Sequence, residues 1–254
     1  MILDFLKLIL HTSLKILKGN QKGEANMSNV IVVNKSKDED YNKQRDNQIL
    51  PLSTCGPTSM AMALFQAGYR DWVVKNEDPA DTITKELTTE QAFERMHNVI
   101  GTKETIWRPF NIHAVLTWGI NNFLKKEVST FRTDWTLQQI LLNIIQGGGV
   151  VLVGDFTLPD GRELGHMVSL AGFETTQNNI LFCDHPTKID LAQVSHFIID
   201  DPYGNYLNGY LSHHGMNVRF DYKLFYSIFR QKDSPSRKWA HLIKPSNQNT
   251  KKKN

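Results

Sequence analysis

Three consecutive glycines, Gly147-Gly148-Gly149, separate two stretches of chain whose apolar residues recur with different periods. Before them the spacing is helical. Met60, Ala61, Leu64 and Ala67 follow one another at three and four residues, with Gly68 as a stop signal. Thr88 or Thr89 can cap a helix carrying Ala92, Phe93, Met96 and Val99; a second helix is expected over residues 111–124, and a third opens at Thr136 with Leu137, Ile140, Leu141, Ile144 and Ile145. Residues 70–145 are thus expected to be largely helical. After the glycines the period becomes that of strands: Val150–Val153, His166–Phe173, Ile180–Cys183 and His196–Ile199, with turn chemistry at Pro159-Asp160-Gly161 and Asp201-Pro202-Tyr203-Gly204. A short strand at Val30–Val33 and a closing helix at Tyr222–Phe229 complete the expectation. Helices first and strands second indicate an α+β domain, not alternating βαβ units.

The 254 residues, 40% hydrophobic and 22% charged, suit one globular domain with short extensions. Residues 1–28 read as an amphipathic extension and linker, 29–245 as the domain, and 246–254 as a disordered basic tail. Residues 1–19 are too short and too charged to span a bilayer and lack the layout of a secretory signal, which favours a cytoplasmic protein. Weak membrane contact through this stretch ranks below packing on the domain or an extension upstream of a start at Met27. The formal charge of +3 equals the run Lys251-Lys252-Lys253, so the body is near neutral and carries no nucleic-acid signature. Nothing in the pattern signals an oligomeric state. Cys55 and Cys183 are the only cysteines, too few for a disulfide framework.

Cys55 falls where a helix begins. Pro57 is tolerated in a first turn, Thr54 or Ser53 can cap it, and the dipole and free N–H groups of the turn favour thiolate over thiol. A thiolate nucleophile needs a base, a group that orients the base, and donors for the developing oxyanion. His166, after Gly165 at a strand start, can supply the base. Asp201, with Asp200 as its rival, ends another strand beside a proline turn and can orient the imidazole. Gln44, or Gln48, precedes the cysteine closely enough to join its backbone N–H at the oxyanion. His213-His214 shows no metal-ligand spacing, Asp184-His185-Pro186 reads as a loop, and Trp107, Trp118 and Trp135 read as core or groove-lining aromatics. No metal or other cofactor is expected.

The motifs Gln44-Arg-Asp, Thr54-Cys55-Gly-Pro-Thr-Ser-Met-Ala-Met62, Gly165-His-Met-Val-Ser-Leu-Ala-Gly-Phe173 and Asp201-Pro-Tyr-Gly204 resemble those of the C39-like branch of the papain-like cysteine peptidases. The resemblance implies a papain-like α+β fold, with the nucleophile at a helix start packed against a C-terminal antiparallel sheet. It also implies a bacterial thiol protease in which Cys55 is the nucleophile, His166 its base and Asp201 the orienter, with Gln44 at the oxyanion, acting on a peptide or isopeptide bond of a peptide or protein substrate. Leader-processing members carry an acidic residue just before the cysteine and a glutamine six residues before it. Here those positions hold Thr54 and Ile49, which points to the broader C39-like set. Acyl transfer at the same site, or a non-catalytic binding module on the same fold, are the alternatives.

Overall fold

The computed structural model describes residues 29–47, 51–75, 89–99, 112–229 and 237–246. The expectations for residues 1–28, Gln48, Trp107 and the 247–254 tail lie outside the described residues. Among the described residues seven strands form one sheet, all of its pairings antiparallel: β1 (Ile31–Asn34), β2 (Ser129–Thr136), β3 (Gly149–Thr157), β4 (Glu163–Thr175), β5 (Val194–Asp201), β6 (Gly215–Asp221) and β7 (Arg237–Ile243). The spatial order is β2-β7-β3-β4-β5-β6, so β7 enters between two strands that come far earlier in the chain. β1 pairs with the second half of β4, beyond the part that β3 occupies.

Helices cover both faces. α1 (Cys55–Leu64), α3 (Thr89–Val99) and α4 (Ile112–Leu124) share one buried cluster with Val151, Met167 and Ile243. α5 (Leu137–Ile145) and α6 (Tyr222–Ile228) share the other with Leu152, Val168, Phe197 and Phe220. Neighbours such as Val151 and Leu152, or Met167 and Val168, divide between the clusters, because successive residues of a strand face opposite ways. The architecture is α+β with an antiparallel sheet, as the change of period at the triple glycine implies. Gly149 also permits the close approach of α1: a Cβ there would lie 1.9 Å from the Ala63 carbonyl oxygen.

Several elements begin where the sequence places them. Thr136 caps α5 with a reciprocal capping box, its hydroxyl accepting from Gln139 N–H and the Gln139 side chain accepting from Thr136 N–H. Others differ. Gly68 does not stop the first helix; it takes φ +88° inside a π-helical segment, Phe65–Tyr69, and the chain runs on into α2 (Arg70–Lys75). Residues 70–145 are not uniformly helical, since β2 lies among them. Ile180–Phe182 forms a 3₁₀ turn rather than a strand, with Ile180 buried beneath it. Thr54 stands at the N-cap of α1 without capping; its hydroxyl instead accepts from the Asn47 amide at 2.7 Å. Among the described residues no helix is long and apolar enough to cross a membrane.

Candidate active site

Cys55 is the first residue of α1, and α1 lies along β4 in a fixed register. Ser59, one turn further on, donates its hydroxyl to the Met167 carbonyl at 2.9 Å. The bond holds the helix start against His166, which immediately precedes Met167 in β4. Gly56 fits beneath: a Cβ there would meet Met167 Sδ at 3.1 Å and Leu116 Cδ1 at 3.3 Å. A second set of bonds fixes the loop before the helix. Asn47 donates to both the Thr54 and Thr58 hydroxyls, and Thr58 donates back to the Thr54 carbonyl.

Cys55 is partly exposed and forms no disulfide with Cys183, and its thiol is electrostatically coupled to His166. Burial pushes its pKa up. The His166 hydrogen bond and charge, with N–H groups of Met167 and Gly56, outweigh that and hold it below its ordinary value. His166 is itself buried, and its Nε2 lies 2.8 Å from Asp201 Oδ1. Desolvation alone would lower the imidazolium pKa, but the Asp201 charge and hydrogen bond, helped by Cys55, raise it to about 10. The ring packs edge-on against Phe156, with centroids 5.0 Å apart. With Nε2 engaged by the carboxylate, Nδ1 is the nitrogen left for the thiol.

Asp201 is fully buried and saturated. Besides His166, its Oδ1 accepts from Tyr203 N–H at 2.8 Å, and its Oδ2 accepts from Tyr210 OH at 3.4 Å. Its turn is strapped from outside: Tyr41 OH donates to the Asp201 carbonyl, Gln44 N–H to the Pro202 carbonyl, and Arg45 Nε to the Tyr203 carbonyl while its guanidinium lies 3.8 Å from the Tyr203 ring centroid. Asp200, the rival carboxylate, points the other way. It accepts from Ser36 OH, Gln66 Nε2 and Asn217 N–H and makes no contact with His166 among its hydrogen bonds.

Gln44 sits in a 3₁₀ turn over residues 44–46, buried, with its Nε2 donating to the Pro51 carbonyl at 3.1 Å and its Oε1 without a hydrogen-bond partner among the described residues. An amide nitrogen carries two protons, so one remains after the Pro51 bond. His213 and His214 are exposed, His214 tilting against Tyr41, and the described residues hold no group of three or more metal-ligating side chains. The sequence did not single out Ser59, Tyr203 or Tyr210. Ser59 and Tyr203 stand inside the motifs quoted above without a role of their own, and Ser59 follows a second polar residue, Thr58, in α1.

The arrangement can bear comparison with known proteins. A model of the peptidase C39-like family matches residues 36–223. The chain belongs to that family. The matched span takes in Gln44, Cys55, His166 and Asp201, and the helices over an antiparallel sheet are those of a cysteine-peptidase-like fold. No curated protein matches the chain.

Proposed function

We propose that this C39-like chain is a papain-like cysteine peptidase that cleaves a peptide or isopeptide bond through a thioester on Cys55. The observation that carries the reading is the continuous line from the Cys55 thiol through His166 to Asp201, with the thiol pKa lowered and the imidazolium pKa raised. Such a pair stores the nucleophile as thiolate and the acid as imidazolium at neutral pH. The thiolate attacks the scissile carbonyl. The backbone N–H of Cys55, at the start of α1, and the second amide proton of Gln44 stabilise the oxyanion. The imidazolium gives its proton to the leaving amine, and the thioester forms. Neutral His166 then takes a proton from water as the water attacks the thioester, and the acid product leaves with Cys55 restored as thiolate. Asp201 holds the ring with Nδ1 toward sulfur throughout, and Tyr203 N–H and Tyr210 OH hold Asp201.

The test is the rate of iodoacetamide alkylation of Cys55 against pH, in the native protein and in His166→Ala. The expected apparent pKa of the native thiol lies well below the roughly 8.5 of free cysteine, and the variant returns toward that value. Profiles that coincide near the free value would overturn the assignment. Cleavage products analysed with and without an added amine separate hydrolysis from acyl transfer.

A further inference from the structure

The second carboxylate at the end of β5 has a network of its own. Asp200 is buried, and both its oxygens are used: Oδ1 accepts from Ser36 OH at 2.9 Å and Asn217 N–H at 2.8 Å, and Oδ2 accepts from Gln66 Nε2 at 2.9 Å. The Gln66 carbonyl in turn accepts from Ser169 OH at 2.8 Å. The members of this network come from separate pieces of chain. Gln66 lies in the π-helical segment that continues α1, Ser169 lies in β4 three residues after His166, and Asp200 immediately precedes Asp201.

Two backbone irregularities serve the same bonds. The β5–β6 register shifts between Ile199 and Asp201, and Asn217, opposite that shift, holds φ +58°. A non-glycine residue in that region persists where the surroundings over-determine it. Here the strained residue presents its N–H to Asp200. The π segment likewise widens the helix where Gln66 turns inward, a departure found often at functional sites.

From this we infer that Asp200 is a positioning residue: its bond to Gln66, continued by the Gln66–Ser169 bond, ties together the helix that carries Cys55, the strand that carries His166 and the strand that carries Asp201, and so sets the alignment of the three. It touches neither substrate nor the reacting atoms. The inference rests on the roles given to Cys55, His166 and Asp201 above. Asp200→Ala removes an acceptor that three donors need. Asp200→Asn keeps the network if the Gln66 amide turns over, because its Oε1 then accepts from the new amide while its Nε2 donates to the Ser169 hydroxyl.

The experiment is iodoacetamide alkylation of Cys55 against pH in the full chain, for the native protein, Asp200→Ala, Asp200→Asn, Ser169→Ala and His166→Ala, with a melting curve for each. In Asp200→Ala the apparent thiol pKa moves up by at least half a unit and the rate at pH 6 falls at least threefold, while Asp200→Asn stays within a factor of two of native. Should Asp200→Ala fail to fold, Ser169→Ala, which strands the Gln66 carbonyl, shows the same upward shift. A lowered melting temperature with an unmoved pH profile overturns the inference, and so does an Asp200→Asn profile as displaced as that of Asp200→Ala. His166→Ala separates the layers: if it leaves the thiol pKa unchanged, the proposed ion pair itself falls, and the alignment role falls with it. If it shifts the pKa and the Asp200 variants do not, the ion pair stands and only the role of Asp200 is lost.

Discussion

Asp200 and Asp201 are consecutive, equally buried and both saturated with hydrogen bonds, yet they belong to different chemistry. Asp201 faces a titratable ring and raises its pKa; Asp200 faces an amide, a hydroxyl and a backbone N–H, none of which titrates near neutrality. Burial therefore pushes the Asp200 carboxyl up to about 6, with Asp40 adding repulsion and the three donors offsetting only part of the cost. The difference comes from strand geometry alone. A carboxylate on one side of the pleat becomes the partner of a base, and its neighbour on the other side becomes a structural tie.

Swapping each carboxylate for its amide gives the sharpest contrast. Asp201→Asn presents either a carbonyl or an NH₂ to His166 without the charge that holds its proton, and peptide cleavage is expected to fall by about 10²- to 10⁴-fold, the range typical for loss of acid–base catalysis. His166→Ala falls in the same range, whereas Asp200→Asn keeps activity within about threefold. A comparable loss in both amide variants, measured as kcat/KM on one peptide, would erase the distinction drawn here.

The pH dependence of stability should separate the pair as well. Because the folded pKa of Asp200 is raised from 3.8 to about 6, its contribution to stability is fully present below about pH 4 and is lost as pH rises through 6. That amounts to about 3 kcal/mol. Subtracting the Asp200→Asn unfolding curve from the native one should leave this slope and cancel the similar one from Asp40, whose carboxyl burial also raises to about 6. A flat difference between pH 4 and 7 would mean that the carboxyl is less desolvated than its surroundings indicate.

For activity the expected profile is two-limbed. The acidic limb follows thiolate formation on Cys55 and the basic limb follows loss of the His166 proton, so the plateau lies between a lowered and a raised pKa. A single limb would count against the ion pair. The smallest effect belongs to Tyr210→Phe, which removes one long hydrogen bond to Asp201 and leaves the ring packing in place. About 0.5–1.5 kcal/mol, a few-fold in rate, is the expected loss, and a hundredfold loss would show that Asp201 depends on that hydroxyl far more than its 3.4 Å length suggests.

The sequence showed the start of α1, the cap at Thr136 and the change of period because these are local signals, complete within a few residues. It could not choose between Asp200 and Asp201, since the choice depends on which face of β5 meets His166. Gln66 and Ser169 were silent for a similar reason: they are 103 residues apart, and each alone is an ordinary polar side chain. β2 and β7 escaped because their buried positions are disguised. Lys238 and His241 are wholly buried in β7, where an apolar alternation would otherwise mark a strand. Ile180-Leu181-Phe182 erred the other way, an apolar triplet whose 3₁₀ turn sends Ile180 inward and leaves Phe182 exposed.

The place of β7 in the sheet bears on how the protein comes to life. During synthesis the ribosome delivers Cys55, His166 and Asp201 well before Arg237–Ile243, yet until that last strand arrives β2 and β3 have no partner between them. Ile243 also belongs to the cluster beneath α1, so the floor of that helix is incomplete until β7 is added. Long-range pairing of this kind is slow to form. Alkylation of ribosome-bound chains of increasing length would show it as a late rise in Cys55 reactivity at neutral pH, whereas a reactive thiol in chains ending before residue 237 would contradict it. The order of the strands thus sets when this part of the fold can be completed, after the chain carrying Cys55, His166 and Asp201 is already in place.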